Sequence, residues 1–550
     1  MNDYEVLRTM VSASLMRLRD NQQGTLHEGH IETELDRVIE FGNFAVDRSA
    51  MLSDLERSFA ILIENATSIQ SNDTRDRPEA PWVSRWINEG KLNWSYWTRY
   101  RIHLLQKWAA PTVSRLDTST TQILDTMMPP DTQGLWDQRG LVVGHIQSGK
   151  TSHYTGLICK AVDAGYKVII VLAGAHKNLR SQTQIRLEKD FLGFKTTDDS
   201  NGERKRTGVG LLQNVSQMTD VITSRADNGD FKRSVADNFS ITPGGNPLLF
   251  VIKKHVTVLR NLFEWVSWVA QNQGGTRILN VPLLMIDDEC DHSSVDTGLQ
   301  EFEGEEADPD YEPKAINKGI RKIIRAFGQS VYIGYTATPQ ANTLIHDEGE
   351  TEECGEDLFP RSFIFSIPSP DNYVGPVRMF GLNSEENPGI INAFVDLEDH
   401  AASLRLSEEE GWMPPKHRID HRPLYQGNSK VPPSLKEAIK VFILSMTIRK
   451  LRGQENAHNS MLIHVSHYVD VQHRVKEQVE AEYENVRDRI QYGDGDGESV
   501  MELFHDVWQD KFVDRANDFE GYDLPDWQNV AEKIPESLRL IKFKEINGSA

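Results

Sequence analysis

From about residue 135 onward the apolar positions fall into short, nearly unbroken runs separated by longer stretches of three- and four-residue spacing. The runs are Leu141 to Val143, Lys167 to Leu172, Pro247 to Ile252, Val281 to Ile286 and Val331 to Tyr335. They are β-branched, and too short and too uniformly apolar for amphipathic helices. This pattern predicts an α/β fold, a parallel sheet buried on both faces by helices. The helix after the first run is predicted to end at Gly165, a left-handed cap. Residues 1–130 read instead as a helical region, with helical spacing at Leu55 to Gln70 and Trp97 to Leu116, closed by a break at Met128 to Asp131. Residues 131–345 form the sheet-building part. Residues 346–432, rich in proline, glycine and acid, read as an insertion or linker. Within 433–550, Ser434 to Leu451 is a strong helix. Met461 to Val465 reads as the first strand of a second α/β unit, Tyr468 to Glu484 as a charged helix, and the closing Ile541 to Ala550 as a further strand.

The length of 550 residues corresponds to three or four domains at ~150 residues each. With 38% apolar and 26% charged residues, the composition is that of a globular protein with ample core material. No apolar run approaches the ~20 residues of a membrane helix, so no membrane partner is expected. The charged, amphipathic N-terminus does not resemble a signal peptide, and three cysteines are too few for a disulfide framework. A reducing cytoplasm is the expected location. Sixty basic residues against 82 acidic ones give a net charge of −22. That opposes non-specific coating of nucleic acid but leaves room for a motor with a narrow local track. The acidic stretches Glu301 to Glu312 and Asp347 to Asp357 read as solvated loops.

The most informative segment is Gly144-His-Ile-Gln147-Ser148-Gly149-Lys150-Thr151, followed by Ser152. It fits G-x-x-x-x-G-K-[ST], the Walker A pattern, between an apolar run and a helical stretch, as a phosphate loop requires. Loop amides and the helix N-terminus would cradle the phosphates of ATP. Lys150 would neutralise the β- and γ-phosphates, and Thr151 would place its hydroxyl on Mg2+. A second run ends in Asp287-Asp288-Glu289-Cys290-Asp291-His292. Carboxylates at a strand tip call for a cation to balance them. Asp288 is expected to hold Mg2+, and Glu289 to orient and polarise the attacking water. A third run ends in Thr336-Ala337-Thr338-Pro339. Its hydroxyls are expected to sense the γ-phosphate and couple to a neighbouring domain through Asp291 or His292.

This trio resembles the first RecA-like domain of superfamily 2 helicases, whose later elements are the DEAD-like box and the S/T-A-T motif. LVVGHIQSGKT, AVDAGYKVIIVLAGAHKNLRSQTQIRL, LMIDDECDH and YIGYTATPQAN, with NWSYWTRY (93–100) and HNSMLIHVSHY (458–468), are similar to the Z1 domain family of bacterial restriction and anti-phage clusters. The resemblance spans roughly residues 90–470. It implies a helicase-like ATPase that remodels or translocates on DNA alongside other defence-system proteins, or an ATP-gated switch or scaffold subunit in such a complex. By the same resemblance the loop at Ala173 to Thr183 stands where helicases contact the nucleic-acid backbone, with Arg180, Gln182 and Thr183 as contacts, the alternative being a polar turn that caps the next helix; Lys253-Lys254 reads first as a solvated strand end and only second as another backbone contact. Two departures stand out. Gln147 occupies a position where helicase loops carry glycine. Nothing after His467 fits the later helicase motifs or their arginine finger, so the second RecA-like domain is expected to be incomplete and hydrolysis slow.

Other constellations carry less. Asp310, Glu312 and Lys314 spell a nuclease motif only superficially, because the two acids are too close together to sit on separate arms of a hairpin, so nuclease activity is not expected. His464 and His467 would face opposite sides of a strand. Cys290 and His292 have no further zinc ligands nearby. Trp82, Trp86, Trp94 and Trp97 are expected to pack between helices and sheet rather than stack on a base.

Overall fold

The structure, a computed structural model, describes chiefly residues 80–367 and 412–546, apart from short segments within them such as 145–148, 175–176, 198–203 and 308–313. Before residue 80 it describes chiefly helix α1 (Glu28–Gly42) and strand β1 (Ser68–Gln70). The chain divides into two compact units, Met1–Ile390 and Ile391–Ala550.

The first unit is a mixed α/β layer structure. After α2 (Val83–Asn88), α3 (Tyr96–Leu105) and α4 (Ala110–Thr126) comes β2 (Trp136–Val143), then α5 (Lys150–Ala164) and β3 (Val168–Ala173). Helix α6 (Lys177–Leu187), β4 (Asp220–Val221), β5 (Leu248–Ile252), α7 (Val256–Asn272) and β6 (Leu283–Asp288) follow. Then come β7 (Phe302–Glu303), β8 (Glu306–Ala307), α8 (Ala315–Arg325), β9 (Gln329–Thr336), β10 (Glu350–Thr351), β11 (Gly355–Glu356) and β12 (Phe363–Ser366). Eight strands form one sheet in the order β1-β12-β2-β9-β6-β3-β5-β4, and every pairing except β1 with β12 is parallel. β7-β8 and β10-β11 are small separate hairpins.

Strand β3 shows why the runs lack alternation. Ile169, Val171 and Ala173 point into one core, and Val168, Ile170 and Leu172 into another. Helices α3, α4 and α5 supply Tyr100, Leu116 and Ile158 to the first core, and α7 and α8 supply Trp265 and Ile320 to the second. Apolar side chains are therefore stable on both faces of the strand. The helix after the phosphate-loop segment ends as predicted: Gly165 has φ +118°, and its N–H caps the carbonyls of Ala161 and Val162.

Three expectations are corrected. Trp97 to Leu116 is not one helix but α3 and α4, broken where Pro111 opens the second helix. β2 is longer than its apolar residues suggested. Its polar members Gln138 and Arg139 are buried: Gln138 is satisfied by Thr126 O and the Met128 N–H, and Arg139 bonds Asp137 at 2.7 Å and Asp357 O through its terminal nitrogens, leaving Nε without a partner. Residues 346–432 are not wholly an insertion, since β12 lies in the main sheet beside β2.

The tryptophans pack, as expected. Trp82, Trp86 and Trp97 are buried in the first core. The ammonium of buried Lys160 sits 4.5 Å from the Trp97 ring centroid and 5.5 Å from that of Trp94, paired with Asp117 at 2.6 Å. Burial lowers the Lys160 pKa to about 8. About one turn further along α5, Asp163 accepts hydrogen bonds from the Tyr96 and Trp97 N–H groups, both at 2.9 Å, and so caps α3.

The second unit is helical among its described residues: α9 (Pro433–Leu451), α10 (Val469–Tyr492), α11 (Val500–Trp508) and α12 (Trp527–Leu538). Ile443, Val471, Phe504 and Ile534 form its core. The strands expected at Met461 to Val465 and near Ile541 carry no ladder partner among these residues. Met461, Ile463 and Val465 pack on the helical core, while Leu462 is 83% exposed. Burial alternates along the run because only one side of it meets helices. No described helix of the chain is long and apolar enough to cross a membrane.

Candidate functional site

Parallel pairing sets the site. Val143 is in register with Thr336, and Tyr335 with Asp288, which in turn pairs with Ala173. The C-terminal ends of β2, β9, β6 and β3 therefore lie side by side, the edge where open α/β sheets bind ligands. A cleft of about 1110 Å3 opens there, lined among others by Gly149, Lys150, Thr151, Ser152, Asp288, Glu289, Asp291, His292 and Thr338. The residues singled out after three separate strands thus share one cavity.

The glycine turn is closed by Gly149 at φ +92°, a left-handed conformation that a Cβ would strain, and α5 starts at the next residue. The positive end of this 15-residue helix therefore faces the cleft. The Gly144 N–H bonds Thr336 O at 2.9 Å and ties the turn to β9, while Lys150 Nζ donates to Gly144 O at 3.3 Å. Ser152 accepts at its carbonyl from the Tyr100 hydroxyl, 3.3 Å away. Gln147 and Ser148 lie outside the described residues.

The acidic tip is joined to the turn by a tyrosine the sequence reading passed over. Tyr154, fully buried in the second turn of α5, donates from its hydroxyl to Asp288 Oδ2 at 3.2 Å and lies beside Thr151 and Thr183. Burial, then the neighbouring Glu289 charge, raises the Asp288 pKa above the usual carboxylate range. A cation beside Asp288 would relieve both effects. Thr151 and Asp288 offer the hard oxygen donors that Mg2+ takes alongside substrate phosphates, so the residues fit that ion. Among the described residues no group of three or more His, Cys, Asp or Glu is arranged for a metal. Glu289 is exposed and takes φ +54°, a left-handed backbone in a non-glycine residue at the lip of the cleft.

Asp291 accepts from both threonines of the third motif, from Thr336 Oγ1 at 2.7 Å and from Thr338 Oγ1. The expected coupling contacts therefore converge on Asp291. His292 is exposed and its ring is partnered by Ser293 at 3.0 Å.

Beneath the tip lies a buried ion pair. Lys254 Nζ is 2.7 Å from Asp287 Oδ1 and donates to Glu289 O at 2.6 Å and His292 O at 3.2 Å, while Tyr332 OH donates to Asp287 Oδ2 at 2.7 Å. Lys254 is 2% exposed, so it braces the acidic turn and is corrected from a nucleic-acid contact to a structural residue. Arg180 is corrected in the same way. It is buried, and its guanidinium donates to Ser224 O and Ala226 O at 2.8 and 2.7 Å, holding that loop. Gln182 and Thr183 line the cleft, Gln182 exposed and Thr183 buried.

The first unit belongs to the mixed α/β class, with a mostly parallel sheet. The model of the Z1 domain family matches residues 434–550, which lie within the second unit. The match supports that family for this part of the chain. Of the segments that carry the resemblance, only HNSMLIHVSHY falls inside the matched span. No curated protein matches the chain.

Proposed function

We propose that the first unit is an ATP-binding and ATP-hydrolysing module of the RecA-like, superfamily 2 type. The observation that carries this reading is the Tyr154–Asp288 hydrogen bond, which brings the glycine turn and the acidic strand tip together in one cleft. In this reading the turn amides and Lys150 bind the triphosphate, and Thr151 and Asp288 hold Mg2+, which would neutralise charge on the β- and γ-oxygens. Glu289 takes a proton from the attacking water. Asp291, Thr336 and Thr338 relay the state of the γ-phosphate to neighbouring parts of the protein. The work done with this energy is remodelling of, or translocation on, DNA within a bacterial anti-phage or restriction system, in the cytoplasm.

A second reading, an ATP-gated switch or scaffold in a defence complex, has its own support. Two candidate backbone contacts, Arg180 and Lys254, are consumed inside the fold, and the chain carries a charge of −22. One set of measurements tests both. Lys150→Ala should abolish ATP binding, and Glu289→Gln should keep ATP but stall hydrolysis. Normal turnover by Glu289→Gln would remove the assignment of the base. Stimulation of hydrolysis by DNA, with affinity falling steeply as salt rises, supports the motor; indifference to DNA supports the switch.

A further inference from the structure

We propose that Arg186 is a catalytic residue of this cleft, a guanidinium from the same unit that grips the terminal phosphate of the bound nucleotide as it is transferred. The inference rests on the nucleotide reading above and names a residue which that reading left out.

Arg186 sits in the last turn of α6, the helix that follows β3. It is the only arginine among the described residues that line the cleft. Its Nη1 donates to Thr151 Oγ1 at 2.8 Å, across 35 positions of sequence. Folding has therefore carried a permanent cation to within one hydrogen bond of the residue that follows Lys150.

The contrast with Arg180 on the same helix is informative. Arg180 is buried, and its donors are consumed by backbone carbonyls. Arg186 is exposed, and its hydrogen-bond partner is a neutral hydroxyl. One bond to a neutral hydroxyl is weak beside the paired, charge-assisted bonds that a guanidinium makes with phosphate oxygens. A side chain that spans from α6 to Thr151 also reaches the oxygens of a phosphate seated at Lys150, so the phosphate takes the guanidinium over from Thr151.

In the reaction the oxygen of a water bonds to the γ-phosphorus. The bond from that phosphorus to the β–γ bridging oxygen breaks, its electron pair leaves with ADP, and the water's proton passes to Glu289. Negative charge spreads over the equatorial oxygens of the moving phosphoryl group, where the planar fork of Arg186 fits.

The test uses the full chain with Arg186→Ala and Arg186→Lys. Titration calorimetry gives the affinities for ATP and ADP, and single-turnover kinetics gives the rate of the chemical step. In Arg186→Ala, ADP affinity should be unchanged. The preference for ATP over ADP should fall by roughly ten- to a hundredfold. Hydrolysis should slow by roughly 10³-fold or more. Arg186→Lys should recover part of the preference but little of the rate, because a point charge lacks the fork. A wild-type ratio and rate in Arg186→Ala would overturn the proposal, as would an equal loss of ADP and ATP affinity. If the unsubstituted chain binds neither nucleotide, the nucleotide reading itself fails and takes this inference with it, and that failure shows before any substitution is made.

Discussion

Replacing Lys254 by methionine keeps most of the side-chain volume and removes the ammonium from a site where Lys254 and Asp287 are 2% and 0% exposed. The Asp287 carboxylate would keep one partner, the Tyr332 hydroxyl at 2.7 Å. The carbonyls of Glu289 and His292 would lose their donor. Breaking one side of a buried pair costs about 3–5 kcal/mol, because the remaining charge is left uncompensated. At about 2 °C per kcal/mol, the low end for large domains, the calorimetric transition of the first unit should drop by about 6–10 °C. Lys254→Met combined with Asp287→Asn removes the stranded charge while leaving an oxygen for Tyr332, and should regain at least half of that loss. A single variant melting within about 1 °C of the parent would refute the reasoning, since less than ~1 kcal/mol would then be at stake. A double variant less stable than the single one would refute it too.

Two further outcomes follow from the packing around the cleft. His153 is fully buried between Ser119 at 3.0 Å and the Tyr335 hydroxyl at 3.1 Å, and burial, then Lys160, holds its pKa down at about 3 against 6.5. The unfolded chain takes up this proton first, so the stabilisation is complete above pH 6.5 and is lost as pH falls towards 3, by about 4–5 kcal/mol in all. His153→Gln should flatten the melting temperature against pH across that window; an unchanged slope would exclude His153 as its source. At Gly334 an added Cβ would lie 2.6 Å from Cys290 Sγ and 3.3 Å from Leu141 Cδ1. Gly334→Ala should therefore cost about 1–3 kcal/mol and, on the nucleotide reading proposed above, weaken ATP binding by displacing the acidic turn, and Cys290→Ala should rescue both, as thermal melting and calorimetric titration would show.

The central strands were legible because burial on both faces leaves an uninterrupted apolar record, and the order of the three motifs was legible because each follows such a strand. β12 was not, because four residues in a polar, acidic setting leave no periodic signal, and their place depends on the neighbouring β2. Polar residues buried within the fold misled for a related reason. Arg180 and Lys254 look like surface cations in sequence, and only the carbonyls and the carboxylate they meet reveal them as internal struts. Tyr154 and Arg186 each make one of the inter-element contacts of the cleft, yet each is a single residue in an ordinary helix. The apolar run at Met461 to Val465 reads equally well as a strand or as an extended segment laid on helices, and the choice is made by what lies beside it.

The left-handed backbone at Glu289 has one more consequence. A side chain in that conformation costs ~1 kcal/mol that glycine would not incur. On the reading proposed above, Glu289→Gly would thus stop hydrolysis while leaving the protein at least as resistant to heat, since the strain removed offsets the ~0.5–1 kcal/mol of chain entropy that glycine adds to the unfolded state. A screen ranking variants by thermal endurance alone would pass the inactive one, and a carboxylate kept at that awkward bend would mark retention for chemistry over robustness.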